Sequence, residues 1–492
     1  MTLNAINSFK LRHYAWLAYI AAALSILATA ADRGASNVIL PDIGEYFQAD
    51  LPTIQWVQIT YLVVVTSLML PMGRMADIIG KKRTVILGLI IFIIGDILCS
   101  ASFSLMMMFI SRSIQGLGAA MIQGIAMAIV VDAFGEGNRG KAVGLTLIFV
   151  GIGNVTGPAI GGGVSALFGW RAVFLTTAAL AGISALLAWL VLTSNKQTDS
   201  HDKFDWLGAF FCVGFLVAVL VGFTLVPEVG WLSIYTLPAL MISGFFLFGF
   251  VKRSSQVAYP VLDVRLFLKP LFSFSIASNL FCFLGMSSIW FLLPFYLKYI
   301  VKYPPEQIGL IFIPAAISMA TLSPLSGKFS DILGWRRFTV GGLLFCSCGL
   351  LILSTLNEDT PRWIPLIGVI PVSGGMGAFY GPNNSATLSV TNNQNYGAVI
   401  SFINLVRNGG NLLSIPISTL VVTSVMGSLG QEPDLTIVTY SNDSAVFSAF
   451  LSGMQSTFRI LCALTIIAMI LSIYKGNERQ DPVRDTMSKA VK

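Results

Sequence analysis

Long runs of apolar residues, separated by short polar segments, make up most of this chain. Each run holds roughly 20 residues or more, the length that an α-helix needs to cross a bilayer. The helices would be apolar all round rather than along one stripe, so we exclude a soluble fold. The pattern predicts fourteen spans, over residues 14–40, 54–73, 83–101, 104–131, 140–166, 171–193, 205–226, 232–251, 271–297, 306–327, 338–356, 363–386, 396–427 and 446–474.

Composition supports the same class of protein. Of the 492 residues, 55% are hydrophobic and 11% are charged, whereas a soluble domain carries about 25% charged residues. The six cysteines fall within apolar runs without the spacing of metal ligands, so no metal site is predicted. The first apolar run holds Asp32 and continues into the fold, which is not typical of a cleavable signal. We therefore predict an all-α polytopic membrane protein.

The distribution of Lys and Arg predicts the orientation in the membrane. An even number of spans places both termini on one side. With the N-terminus inside, 22 of the 30 basic residues fall in cytoplasmic segments and 4 in outer loops. Because basic residues favour the cytoplasmic side, we expect both termini in the cytoplasm and the protein in the plasma membrane. The net charge of +7 then faces anionic lipid rather than nucleic acid.

One charged segment occurs twice. GRMADIIGKKR (Gly73–Arg83, cassette 1) lies between predicted spans 2 and 3, and GKFSDILGWRR (Gly327–Arg337, cassette 2) between spans 10 and 11. If spans 7 and 8 are set aside, each cassette joins the second and third helices of a six-helix unit, the signature of parallel repeats. We predict two six-helix bundles related by pseudo-two-fold symmetry, plus two extra central helices, divided as 1–195, 196–270 and 271–492.

The cassettes favour a contact between the two halves. Gly73 allows close approach of a neighbouring backbone, and Gly80 and Gly334 suit a turn with positive φ. Asp77 and Asp331 are placed to cap a helix N-terminus or to form an ion pair between the halves. The alternative is a pair of charged loops that only set the topology.

Several segments together resemble the major facilitator superfamily, specifically its drug–proton antiporters with fourteen spans. Besides cassette 1, they are DRGASNVILP (Asp32–Pro41), RSIQGLG (Arg112–Gly118), GNVTGPAIGG (Gly153–Gly162) and Gly397–Gly410. The resemblance covers nearly the whole chain and implies alternating access by two rocking halves. Its segment in span 5 is the one associated with antiporters, with Gly153, Gly157, Pro158, Gly161 and Gly162 as its residues.

The resemblance also implies a conformational gate. The chain departs from the family at Ile78 and Ile332, where an Arg is usual, which shifts the role of the gate cation to Arg74 or Arg83. The predicted gate residues are Gly73, Arg74, Asp77, Gly80, Arg83, Asp132, Arg139, Asp331 and Arg336.

Charged residues inside the spans are the candidates for coupling. A carboxylate within a span is costly to ionise and usually faces a cavity or a partner, so Asp32 is predicted to exchange protons or to bind a cationic substrate. Arg112 and Arg407 are predicted to act with it, and the alternative is a structural ion pair. Arg33 points about 100° away from Asp32 around the helix. Asp96 is expected to be structural.

Spans 9 and 12 supply the tentative substrate pocket, since a pocket needs apolar walls with a few polar groups. Its residues are Asn279, Phe283, Met286, Trp290, Tyr380, Asn383 and Asn384.

These features predict a proton-driven exporter (antiporter) of amphipathic or cationic small molecules. A lipid or lysolipid exporter of the same fold and a non-transporting receptor or scaffold remain alternatives. An ATP-driven enzyme is rejected because GEGNRGKA, residues 135–142, ends in Ala and follows a span rather than a strand. We expect no cofactor other than the proton gradient, no nucleic acid partner and a monomer.

Overall fold

The fold is given by a computed structural model that describes residues 3–475 apart from 50, 135–138, 194–203, 231–232, 304, 362, 392–395, 433–434, 436–437 and 439–442. At some further helix positions, Arg139 among them, only the backbone is described. Fourteen helices in this part of the chain are long and apolar enough to cross a membrane. The predicted all-α fold with fourteen spans is thus confirmed.

We number the helices by span. The first eight are Leu3–Phe47 (α1), Leu51–Ile79 (α2), Lys81–Ser100 (α3), Leu105–Phe134 (α4), Arg139–Phe168 (α5), Trp170–Val191 (α6), Trp206–Val229 (α7) and Thr236–Gln256 (α8). The others are Pro270–Ser287 (α9), Pro305–Leu333 (α10), Trp335–Leu353 (α11), Ile364–Ser389 (α12), Tyr396–Ser428 (α13) and Ser444–Tyr474 (α14). A short helix, Ile289–Phe295, and a π-helical turn, Tyr296–Ile300, continue α9. Helices satisfy every backbone polar group internally, as a bilayer requires.

The two halves repeat the same packing. In the first half α1 packs against α4, α5 and α6, and α3 against α4 and α6. In the second half the equivalent pairs recur, with α9 against α12, α13 and α14, and α11 against α12 and α14. The halves meet where α2 packs against α13 and where α5 packs against α10. A two-fold rotation that exchanges the halves converts one of these pairs into the other. The extra helices α7 and α8 pack together, and α7 lies against α2 and α13.

Each cassette folds as two helix ends joined by one glycine. Helix α2 ends at Ile79 and α3 begins at Lys81, with Gly80 between them at φ 99°. Gly334 joins α10 to α11 in the same way at φ 90°. The prediction of positive φ at both glycines is confirmed. We call the end of the bundle where the cassettes lie the cassette side.

Small residues bring α5 close to α1. A Cβ added at Gly157 would lie 2.5 Å from the carbonyl oxygen of Ala31, and one at Gly161 2.7 Å from that of Ala35. Gly153 likewise faces the side chain of Ala30. Gly162 differs, because its nearest neighbour is the side chain of Val38 at an ordinary 3.8 Å. Close helix packing through small residues is the usual contact between helices in lipid.

Pro158, the remaining residue of this segment, lies inside α5. A Cβ on Gly34 of α1 would come within 2.8 Å of its Cδ. The glycine in α1 therefore accommodates the proline ring of α5.

Candidate functional site

A small cavity of about 20 Å³ lies between the two halves. It is bounded by α1, α4 and α5 from the first half and by α13 from the second. Its lining residues are Ile26, Thr29, Ala30, Arg33, Gln123, Met127, Thr146, Val150, Asn404 and Arg407. Two arginines and two amides converge on it between the halves, so it is the candidate substrate site, contracted in this state to about the size of a water molecule.

Two arginines face this cavity from opposite halves. Arg33 belongs to α1 and makes no hydrogen bond or ion pair with any residue in the described part of the chain. Arg407 belongs to α13 and donates a hydrogen bond to the hydroxyl of Tyr380 at 3.1 Å. That hydroxyl donates in turn to the side-chain oxygen of Asn404, also at 3.1 Å. Arg407 is thus held in place by a neutral partner.

Asp32 points away from the cavity into the first half. Its carboxylate forms an ion pair with Arg112 at 3.2 Å and accepts a hydrogen bond from the Nε2 of Gln115 at 3.0 Å. The side chains of Asp32 and Arg112 are 1% and 0% exposed. Sequence reasoning named both residues, and the structure brings them together in one buried pair.

Asp96 joins the same network, which the sequence did not reveal. The Nε2 of Gln115 donates to Asp96 as well as to Asp32, so one amide connects two buried carboxylates. The expectation that Asp96 only supports the fold rested on the position of α3, which packs behind α4. An Asp within an apolar span was itself the signal that this residue has a polar partner inside the bundle.

Arg112 is surrounded by acceptors and aromatic rings. It donates to the side-chain oxygen of Gln58 at 2.5 Å and to the carbonyl oxygen of Val57 at 3.3 Å. Its guanidinium carbon lies 4.8 Å from the ring centroid of Tyr61 and 5.6 Å from that of Phe174. Such cation–π contacts are strongest away from water. Side chains of α1, α2, α4 and α6 therefore enclose the guanidinium of Arg112 completely.

Cassette 1 contacts the second half directly. The carboxylate of Asp77 accepts hydrogen bonds from the backbone N–H groups of Gly397 and Ala398, each at 3.0 Å. These groups lie in the first turn of α13, where an anion is favoured by the helix dipole. Asp77 thus caps a helix of the opposite half, which is one of the two geometries expected from the sequence.

Gly73 packs against the same turn of α13. A Cβ on Gly73 would lie 2.5 Å from the Cβ of Ser401 and 2.7 Å from the carbonyl oxygen of Gly397. The hydroxyl of Ser401 donates to the carbonyl oxygen of Gly124 in α4 at 2.8 Å. The hydroxyl of Ser323 in α10 donates across the second interface to the carbonyl oxygen of Gly144 at 3.1 Å. Both interfaces are therefore closed on the cassette side of the cavity.

The remaining predicted gate residues occupy varied positions. Asp132 pairs with Lys81 of cassette 1, and the side chain of Arg139, its predicted partner, lies outside the described residues. Arg74 is buried where α2 meets α13. Arg83 and Asp331 are exposed, and Arg336 is partly buried. Lys81, which was not among the predicted gate residues, is thus the cation that pairs with Asp132.

The tentative pocket from α9 and α12 does not line the cavity. Six of its residues are buried within the second half, namely Asn279, Phe283, Met286, Tyr380, Asn383 and Asn384. Trp290 is 49% exposed and stacks on Phe312 of α10. Tyr380 reaches the cavity only through Arg407. The difference has a physical cause, since a helix that is apolar all round does not reveal which face meets the centre.

Lys475, which follows α14, is fully buried and donates to the side-chain oxygen of Asn383 at 2.5 Å. Burial lowers its pKa from 10.5 to about 7. The unfolded chain therefore holds this proton more tightly than the folded chain does. Between about pH 10.5 and pH 7 unfolding takes up a proton, so stability falls as the pH is lowered through this window.

We expect Lys475→Met to raise the melting temperature by several degrees at pH 7. The difference from wild type should shrink towards pH 10.5, where the lysine is neutral in both states. Thermal unfolding in detergent across this range measures it. Lys252→Met, at an exposed lysine of α8, is the matched control. The same pH profile in both variants would contradict the assignment.

Comparison with known proteins shows an extended similarity. The family model of the Major Facilitator Superfamily matches residues 22–205 and 206–415. Riboflavin transporter RibZ of Clostridioides difficile (strain 630) is 28% identical over 461 residues, 93% of this chain and 97% of that protein. Multidrug resistance protein Stp of Mycobacterium tuberculosis is 27% identical over 426 residues, 85% of this chain and 78% of that protein.

Solved structures show the same fold. The proton:xylose symporter XylE, bound to 6-bromo-6-deoxy-D-glucose, matches with a TM-score of 0.66 at 14% identity, over 95% of this chain and 97% of that chain. The human organic anion transporter MFSD10 (TETRAN) matches with a TM-score of 0.63 at 14% identity, over 94% of this chain and 99% of that chain.

Proposed function

The chain belongs to the Major Facilitator Superfamily, and we propose that within it this protein exports amphipathic small molecules in exchange for protons. The family and its relatives are transporters and not enzymes. The relatives include proteins named as multidrug transporters. The direction of transport, the coupling to protons and the roles of individual residues are our proposals.

This proposal rests on the number of charges in the buried network of Asp32, Asp96, Arg112 and Gln115. Arg112 is one cation enclosed with two carboxylates, Asp32 and Asp96. Close carboxylates in a buried site disfavour double ionisation. The cluster is neutral when it holds one proton, so it is suited to bind and release a single proton during the cycle. Because the amide of Gln115 donates to both carboxylates, a proton bound by either one would change the hydrogen bonding of the other.

Proton binding would alter the contact between α1 and α4. When Asp32 is ionised it holds Arg112 in the pair at 3.2 Å. When Asp32 takes up the proton, that attraction is lost and Arg112 retains Gln58 and Gln115 as partners, with Asp96 reached through Gln115. Helix α1 also carries Arg33 in the cavity, so a shift of α1 would couple the proton site to the substrate site.

The cassette side provides the second part of the cycle. Asp77, Gly73 and Ser401 close one interface, and Ser323 and Gly144 close the other. We assign the cassette side to the cytoplasm from the excess of Lys and Arg there. Opening these contacts would admit substrate from the cytoplasm, and closing them would release it outside. A monomer in the plasma membrane is sufficient for this cycle.

Purified protein in liposomes with an imposed pH gradient tests the proposal. We expect riboflavin or a fluorescent amphipathic compound to move against its gradient while the pH difference lasts, and a pH-sensitive dye to report proton movement when substrate is added. An uncoupler should abolish both signals, and liposomes without protein provide the baseline. Equal rates with and without the gradient would contradict proton coupling.

A flavin is a second candidate substrate. The observation in its favour is the similarity to the riboflavin transporter RibZ, which spans nearly the full length of both chains. The amides of Gln123 and Asn404 and the guanidinium groups of the cavity supply donors for the oxygen and nitrogen acceptors of a flavin ring. Competition between riboflavin and the fluorescent amphipathic compound in the same liposomes would show whether the flavin is preferred.

A further inference from the structure

The cavity between the halves carries two positive charges and no described negative charge. Arg33 and Arg407 both line it, while the other lining residues are amides, hydroxyls and apolar side chains. Within the described residues, neither guanidinium has a carboxylate partner. The cavity is therefore cationic, although the sequence had suggested a site for cationic substrates.

Neighbouring Asp32 does not neutralise Arg33. Its carboxylate is engaged with Arg112 and Gln115 of α4, and consecutive helix residues point about 100° apart. The charge of Asp32 is thus shared within the buried network. Across the cavity, the hydrogen bond of Arg407 to Tyr380 orients the guanidinium without reducing its charge.

An arginine at membrane depth is costly unless a partner compensates its charge. Two such groups facing one cavity also repel each other. An anion between them would offset both this repulsion and the cost of placing the charges at membrane depth. Guanidinium groups bind carboxylate and phosphate through paired, charge-assisted hydrogen bonds. A cationic ligand would instead meet repulsion from both sides.

Building on the transport function proposed above, we propose that the substrate carries a carboxylate or phosphate group that binds between Arg33 and Arg407. The apolar part of the substrate would lie against Ile26, Met127 and Val150. Exchange of an outgoing anion for an incoming proton moves positive charge inward in both steps. The membrane potential then assists export together with the pH gradient.

Equilibrium binding in detergent tests the charge preference without requiring any coupling. Fluorescein and a cationic rhodamine ester share a xanthene ring system but differ in charge, and riboflavin and flavin mononucleotide differ by one phosphate. We expect the anionic member of each pair to bind about tenfold more tightly or better. Equal or tighter binding of the neutral and cationic members would overturn the proposal.

Variants assign the preference to the two arginines. Arg33→Gln and Arg407→Gln should each weaken fluorescein binding about tenfold, and Arg33→Lys should retain part of it. Arg459→Gln removes an exposed arginine within α14 and should leave binding unchanged. If Arg33→Gln and Arg407→Gln bind fluorescein as wild type does, the site is elsewhere and the proposal fails.

The transport assay separates this proposal from the transport function. Preferential binding of anions without gradient-driven movement would refute proton-coupled export and leave the anion site standing. Gradient-driven movement of the rhodamine ester but not of fluorescein would refute the anion site and leave proton-coupled export standing. Competition by an anionic lysolipid, but not by flavin mononucleotide, would identify a lipid headgroup as the source of the anion, and the opposite result a soluble anion.

Discussion

Replacing Asp32 with asparagine is expected to reduce pH-gradient-driven transport to the level of liposomes without protein. The substitution removes one of the two carboxylates that face Arg112, so the network no longer gains neutrality by binding a proton. Movement of labelled substrate down its own gradient, or exchange against unlabelled substrate, should persist because Asp32 does not line the cavity. Parallel measurements of driven uptake and exchange check this result.

The stability of the folded Asp32→Asn protein has to be measured as well. Removing one member of a buried ion pair costs about 3–5 kcal/mol when the other charge is left without a partner. Asp96 remains near Arg112 through Gln115, so we expect a smaller loss. Asp42→Asn is the matched control, since Asp42 is an exposed residue of α1 that accepts a hydrogen bond from Ser165 at 2.5 Å. Unaltered coupling in a folded Asp32→Asn protein would exclude Asp32 as the proton site.

Replacing Gly73 with alanine is expected to slow transport by about tenfold or more. The added methyl group would lie 2.5 Å from the Cβ of Ser401 and 2.7 Å from the carbonyl oxygen of Gly397, and neither atom moves with a side-chain rotation. Overpacking of this kind costs about 1–3 kcal/mol. The cost falls only on the state closed at the cassette side, so the population shifts towards the open state.

Labelling of a cysteine at Thr29, in the cavity, measures that shift in a background without the native cysteines. Reagent added on the cassette side should reach it faster in Gly73→Ala than in the parent. Gly409→Ala is the control, because a Cβ there meets nothing within 4 Å. Ser401→Gly in the same chain should restore part of the rate. Wild-type turnover in Gly73→Ala would show that this contact does not open during transport.

Much of the architecture was predictable because it depends on local sequence. Apolar runs of bilayer length determine the fourteen helices. The repeated cassettes identified the two halves, and their glycines predicted the turns at Gly80 and Gly334, where only a residue without a side chain adopts positive φ at low cost. The glycines of α5 likewise predicted close packing, which Gly153, Gly157 and Gly161 show.

The site was predictable only in part. Charged residues within apolar runs are conspicuous, so Asp32, Arg112 and Arg407 were found from the sequence. Their partners were not, because a contact between helices depends on rotation about each helix axis, and helices that are apolar all round carry no periodic signal of that rotation. For this reason the sequence did not predict that Asp96 joins the network or that Lys81 pairs with Asp132. It also did not predict that the pocket residues of α9 and α12 are buried.

The sequence by itself thus determined the class of protein, the number of spans, the repeat and the presence of charge at membrane depth. The tertiary structure alone decided how those charges are grouped. Asp32 and Arg33 are consecutive in the chain, yet one joins Arg112 in a buried pair and the other faces the cavity with Arg407. Adjacent residues diverge around a helix, and only the packing of neighbouring helices determines which of them meets a partner.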